Sequence, residues 1–166
     1  MFLKVIGKIP SGPLLEKLRL SPNYKKDGFE NLSETPVMLQ DSSSLDIMRK
    51  FLKKPPDTRP SSILPSVKTD LKNLQSVNPV IVWFGHSSYL LIVDGNKILF
   101  DPVFNRASPV PLFGKPFPMS YDYTPDDFPE IDVLVITHDH YDHLDYKTFK
   151  AMLPKIKHIV TSAGVE

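Results

Sequence analysis

Apolar and polar positions are distributed unevenly along this chain. From residue 80 onward apolar residues come in short runs broken by turn-forming residues, the texture of β-strands. Residues 80–84 (VIVWF) and 88–93 (SYLLIV) are strand candidates. Asp94, Gly95 and Asn96 tolerate positive φ, and the apolar run returns at 97–101, which predicts a β-hairpin that delivers Asp101 to a strand end. Another run, 131–137, leads through a polar loop into a helix with Asp145 as N-cap, Tyr146, Phe149 and Met152 or Leu153 on one face, and Pro154 as the stop. Residues 157–161 start the next strand. Strand, helix and strand in succession predict an α/β domain over residues 80–166.

Residues 1–79 show little strict periodicity and read as an extension that packs around a core. The exception is 44–52, with apolar residues at helical spacing, Ser44 as N-cap and Pro55 beyond the end. Four prolines (Pro55, Pro56, Pro60, Pro65) mark a linker or extended arm. The stretch 105–129, rich in proline and aromatic residues, has two readings of equal weight: a surface loop that walls a pocket, and a packed Ω-type loop.

Composition narrows the function classes. A chain of 166 residues with 41% hydrophobic content can bury one core. Twenty Lys and Arg against 19 Asp and Glu leave a net charge of +1 with the basic residues scattered, so no basic stripe argues for nucleic acid. Cysteine is absent, which excludes disulfides and thiolate ligands and fits a reducing, cytoplasmic setting. The apolar stretch 1–10 is interrupted by lysines and stopped by Pro10, too short for a membrane span; peripheral membrane contact stays open.

The candidate chemistry lies in residues 138–143 (HDHYDH), which hold three of the five histidines beside two carboxylates, directly after an apolar run. Imidazole nitrogen and carboxylate oxygen are the donors that zinc, iron and manganese take. In an extended loop residues i and i+2 project to one side, so His138 and His140 can grip one ion together. Asp142 and His143 fall on the next turn, in reach of a second ion, roughly 3.5–4 Å from the first in two-metal hydrolases. Metal-assisted hydrolysis is the chemistry this pattern suits. Asp101 has two readings, a carboxylate that orients the histidine loop from behind and a turn cap. Asp145 is most simply the helix N-cap, with a supporting place behind the ligands as the alternative.

The H-x-H-x-D-H pattern at His138, His140, Asp142 and His143 resembles the metallo-β-lactamase superfamily of hydrolases. Residues 27–31 (DGFEN), 83–88 (WFGHSS), 100–104 (FDPVF), 106–109 (RASP) and the continuation of the motif to Asp145 are similar to the branch containing N-acyl-phosphatidylethanolamine-hydrolysing phospholipase D. The resemblance implies an αββα sandwich with two zinc ions at the sheet edge, His138 and His140 on the first, Asp142 and His143 on the second. Asp139 and Tyr141 are variable positions of the motif. His86, in the glycine-histidine pair, would line the floor; a structural hydrogen bond to backbone is its other reading.

The implied chemistry is attack of hydroxide, generated at the metals, on phosphorus or carbonyl, with Asp142 orienting the nucleophile. A lipid phosphodiester is the favoured substrate, with lactones and other small-molecule esters behind it. The superfamily completes its site with a histidine, a bridging aspartate and a last histidine farther downstream. The one later histidine here, His158, opens a strand and is not placed as a ligand. The chain therefore reads as the N-terminal half of the sandwich behind a proline-rich extension, lacking substantial activity alone and exposing an apolar face to a missing C-terminal half. The competing expectation is an inactive fragment, decayed copy or split-protein half that binds metal weakly or serves as an interaction partner. The superfamily's RNA-processing nucleases are disfavoured by the absent basic patch.

Overall fold

The computed structural model describes residues 7–26, 28–33, 35, 43–53, 56–109 and 114–165. It divides into two compact units. The smaller, Pro10–Ser62, carries helix α1 (Pro13–Arg19), a two-residue hairpin of β1 (Tyr24–Lys25) and β2 (Gly28–Phe29), and helix α2 (Ser44–Leu52). The cap of α2 is Ser43, whose Oγ accepts the Leu45 N–H at 3.3 Å, and not the expected Ser44. Ser42, Ser43 and Ser44 are chemically equal caps; Ser43 has the extended backbone (φ −83, ψ 134) that lets a serine side chain fold back onto the first turn. Asp27 and Pro55 lie outside the described residues.

The larger unit runs from Ile63 to the C-terminus together with residues up to Ile9 and is built on a five-stranded sheet. Its strands are β3 (Val80–Gly85), β4 (Ser88–Val93), β5 (Asn96–Phe100), β6 (Ile131–Ile136) and β7 (Ile156–Thr161), adjacent in chain order. The first three pair antiparallel. Asp94 and Gly95 close the β4–β5 hairpin at φ 49 and 77, the left-handed geometry that a two-residue hairpin turn requires. The β5–β6 and β6–β7 pairs are parallel, and helix α3 (Tyr146–Met152) crosses between β6 and β7. This is the expected α/β class, one sheet with its helix, and matches half of a metallo-β-lactamase-like sandwich.

Period-two alternation gives the sheet two unlike faces. Phe84, Leu90, Ile92, Leu99, Leu134 and Ile136 are buried with Met152 of α3 and with Tyr123 and Phe128. Leu71 joins them at 1% exposure, which is why the compact unit begins upstream of residue 80. The opposite face is also apolar. The register aligns Ile81 with Leu91, Ile98 and Val133, and Trp83 with Tyr89, Phe100, Val135 and Val160.

The aromatic loop does wall a pocket. Leu64 bridges to Met119, and Ser66 Oγ accepts the Tyr121 N–H at 2.7 Å. Pro111 and Phe113 lie outside the described residues. Loop and strand edge together enclose a cavity of about 640 Å³, lined by Trp83, Phe84, Val103, Pro116, Phe117 and Met119 and reaching His86 and Asp142. No helix of the described residues is long and apolar enough to cross a membrane.

Candidate metal centre

The site forms where the C-terminal ends of β5 and β6 meet the β3–β4 turn. Parallel pairing brings the ends of β5 and β6 level, and Asp101 extends it by one step, donating its N–H to Val135 O at 3.0 Å. Asp101 sits at φ 40, strained for a non-glycine residue, with its own carbonyl held by Ser88 Oγ–H at 2.7 Å. The residue is 2% exposed and its carboxylate is fully engaged. Oδ1 accepts the Thr137 N–H at 2.8 Å, and Oδ2 accepts the Thr137 hydroxyl at 2.7 Å and stands 2.8 Å from His143 Nδ1.

These contacts favour particular tautomers. A buried carboxylate next to Nδ1 makes that nitrogen the donor, so the lone pair of His143 is on Nε2. Thr137 spends its proton on Asp101, and its oxygen, 3.0 Å from His138 Nδ1, is left as an acceptor. The same contact favours the Nδ1–H tautomer of His138. Both histidines present a bare Nε2, the form in which imidazole binds a divalent cation.

A tight turn gathers the loop. His143 N–H and Leu144 N–H both donate to His140 O, at 2.9 and 2.8 Å. The rings of His138 and His140 are 4.6 Å apart by centroid, and those of His138 and His143 3.9 Å. Asp142 faces the other way, toward the β3–β4 turn: Oδ2 lies 3.0 Å from His86 Nε2 and 3.9 Å from His143 Nε2. Ser87 Oγ–H donates to Asp142 O at 3.1 Å. Burial pushes the Asp142 pKa up, but hydrogen bonds from its own backbone amide and from His86, with the electrostatic influence of the neighbouring imidazoles, outweigh this and hold it below the ordinary value.

The loop brings the rings of His138, His140 and His143 close to one another, while Asp142 meets His86, which comes from 56 residues away. Among the described residues the donor group that comes within 4.8 Å all round is His86, Asp142 and His143. Sequence reasoning gave His86 a place on the floor and missed its approach to Asp142. The available signal was a glycine-histidine pair between two strands, a spot where the backbone can turn a side chain out of the sheet. Asp145 serves as the N-cap of α3: Oδ1 accepts the Lys147 N–H at 3.0 Å, and Oδ2 accepts from Thr148 Oγ and Asn105 N–H at 2.7 and 2.9 Å. It ties the 101–105 segment to the helix and reaches the histidines only through the chain. His158 is exposed in β7, paired with Val133.

The donor set is entirely nitrogen and oxygen, with His143 Nε2 3.9 Å from the Asp142 carboxylate, and fits zinc, iron or manganese. Residues 80–165 match the family model for the beta-lactamase superfamily domain. This chain belongs to the beta-lactamase superfamily. Its metallo-β-lactamase fold agrees with the resemblance drawn from the loop motif. A protein of Mycobacterium tuberculosis (strain ATCC 25618 / H37Rv) is 33% identical over 139 residues, 80% of this chain and 36% of that protein. N-acyl-phosphatidylethanolamine-hydrolyzing phospholipase D 1 of Caenorhabditis elegans is 38% identical over 86 residues, 47% of this chain and 23% of the enzyme. A UPF0173 metal-dependent hydrolase of Saccharolobus solfataricus is 35% identical over 82 residues, 48% of this chain and 31% of its own length. The chain thus spans about a third or less of the length of these relatives.

Proposed function

We propose that this chain carries the first metal-binding half of a metal-dependent hydrolase acting on a phosphodiester or related ester. The geometry that supports this most directly is at the loop: Asp101 Oδ2 stands 2.8 Å from His143 Nδ1 and Thr137 Oγ 3.0 Å from His138 Nδ1, partners that favour the tautomers with the lone pair on Nε2. His138 and His140 would hold one ion, and Asp142 and His143 a second, zinc first, with iron and manganese as alternatives. Such ions supply Lewis acidity and a water nucleophile at neutral pH. Asp142 accepts and orients the nucleophile, His86 holds Asp142 in place, and Asp101 holds His143.

The apolar cavity beside His86 and Asp142 favours a substrate with a hydrocarbon portion. The similarity to a phospholipase D points the same way. Helix α2 exposes Leu45, Met48 and Leu52 at i, i+3 and i+7, with Arg49, Lys50 and Lys53 alongside, which suits contact with a lipid surface. We place the protein in the cytoplasm, a reducing setting that a chain without cysteine suits. A second reading, a non-catalytic half that works with a partner chain, draws support from the apolar outer face of the sheet.

Equilibrium dialysis with elemental analysis tests the metal, and turnover of bis(p-nitrophenyl) phosphate against p-nitrophenyl esters tests the chemistry. The expected result is bound divalent metal, removed by chelator and weakened by His138→Ala and by His143→Ala, with metal-dependent turnover favouring the phosphodiester. Metal uptake indifferent to both substitutions, or turnover that survives chelation, overturns the proposal. Metal uptake without turnover favours the second reading.

A further inference from the structure

We infer that His86 is itself a metal ligand: its Nε2 joins Asp142 Oδ2 and His143 Nε2 in a three-donor site for a divalent cation, assembled from the β3–β4 turn and the histidine loop. The inference rests on the metal-binding reading above and adds a donor outside the H-x-H-x-D-H motif. Asp142 Oδ2 is 3.0 Å from His86 Nε2 and 3.9 Å from His143 Nε2. Two donors on one tetrahedral ion, bonded at about 2.0–2.1 Å, stand roughly 3.3 Å apart. The two observed separations bracket that value. All three residues bring a ligand atom within 4.8 Å of the others.

The backbone supports a positioned imidazole. His86 adopts φ 46 directly after Gly85 at φ 112, and the β3–β4 register shifts between Trp83 and Gly85. A histidine in the left-handed region is strained, and such strain persists only where surrounding contacts impose it. Two contacts do so: Trp83 Nε1–H donates to His86 O at 3.0 Å, and Ser87 Oγ–H donates to Asp142 O at 3.1 Å. The turn and the loop are thereby tied together on both sides of the donor pair. Packing does not explain where the ring lies, because the His86 side chain is 63% exposed. An ion held by these three donors would have coordination positions left for water or substrate, and His86 and Asp142 both line the apolar cavity.

Proton–cadmium correlation spectroscopy on the intact chain loaded with ¹¹³Cd reads ligation directly. The expected spectrum joins ring protons of His86 and His143 to one cadmium resonance. Correlation through His143 without His86 overturns the assignment while leaving the metal-binding reading in place; absence of any bound cadmium overturns both. Zinc titration calorimetry gives an independent measure. His86→Ala should weaken one binding event by at least about tenfold, with the metal-free chain still melting cooperatively. His86→Gln keeps a hydrogen bond to Asp142 but removes the imidazole, and should be as weak as His86→Ala; restored affinity in His86→Gln would make His86 a hydrogen-bonding neighbour and refute its role as ligand.

Discussion

The Asp101 carboxylate accepts two hydrogen bonds from Thr137 and faces His143 Nδ1, at distances from 2.7 to 2.8 Å, with almost no contact with water. In Asp101→Asn an amide NH₂ would confront either Thr137 or His143 Nδ1–H, leaving a buried donor without an acceptor. The expected cost is about 1–3 kcal/mol by urea unfolding, with metal affinity lower by about 10–100-fold. Asp132 is a simpler case with a pH signature. The Lys157 Nζ bond at 2.8 Å lowers its pKa most, the Lys97 N–H adds to this, and burial opposes it; the same bond raises Lys157. A depressed carboxyl stabilises the fold above its unfolded pKa, about 4, and ceases to do so as pH falls through the folded value. A raised lysine stabilises below about 10.4 and loses this as pH climbs through its folded value. Asp132→Asn should therefore cost about 0.5–1.5 kcal/mol at neutral pH, and the deficit should shrink on acidification. Unfolding curves at neutral and acidic pH check this, and a deficit that grows in acid would contradict it.

At the scale of elements, Asp145 joins helix α3 to the segment leaving β5. Its carboxylate caps Lys147 N–H and also binds Asn105 N–H and Thr148 Oγ, while Thr148 Oγ receives Phe104 N–H at 3.2 Å. Asp145→Ala should destabilise by about 1–2 kcal/mol as a lost cap, and Asn105, 40 residues upstream, should show increased amide exchange because its bond goes too. A helix-only effect would mean that the tie to the loop is dispensable. This cap was legible in the sequence because it is local: an aspartate, an apolar face and a proline stop all lie within ten residues. The β4–β5 hairpin and the grouping of the histidine loop were legible for the same reason. Three features were not. The cap of α2 slipped by one residue because neighbouring serines are equivalent until the backbone chooses. Leu71 sits in a polar, aperiodic stretch, and only packing reveals it as core. His86 meets Asp142 across 56 residues, a contact made by the β3–β4 turn and the sheet rather than by any local pattern.

For the larger unit as a whole, the decisive feature is a sheet that is apolar on both sides and, among the described residues, covered by its helix on one. Ile81, Trp83 and Val160 on the second face are 66%, 65% and 53% exposed, and Tyr89, Leu91, Ile98, Phe100, Val133 and Val135 between them are half-buried. Contiguous apolar surface beyond a few hundred Å² is uncommon on soluble monomers. The isolated chain should accordingly bind a hydrophobic dye and associate as its concentration rises. Trp83 is the chain's sole tryptophan and stands on this face, so its fluorescence reports on the surface without labelling. Emission should resemble that of water-exposed indole and be quenched efficiently by acrylamide; a blue-shifted, shielded signal from a monodisperse monomer would mean that the face is covered. Trp83 also holds His86 O through Nε1–H, which couples the face to the candidate metal site. Trp83→Phe keeps the apolar surface and removes that one bond, so dye binding should persist while zinc affinity falls. Trp83→Ser should reduce both. If zinc affinity is the same in Trp83→Phe as in the parent chain, the turn needs no such anchor, and the sheet face and the metal site are independent.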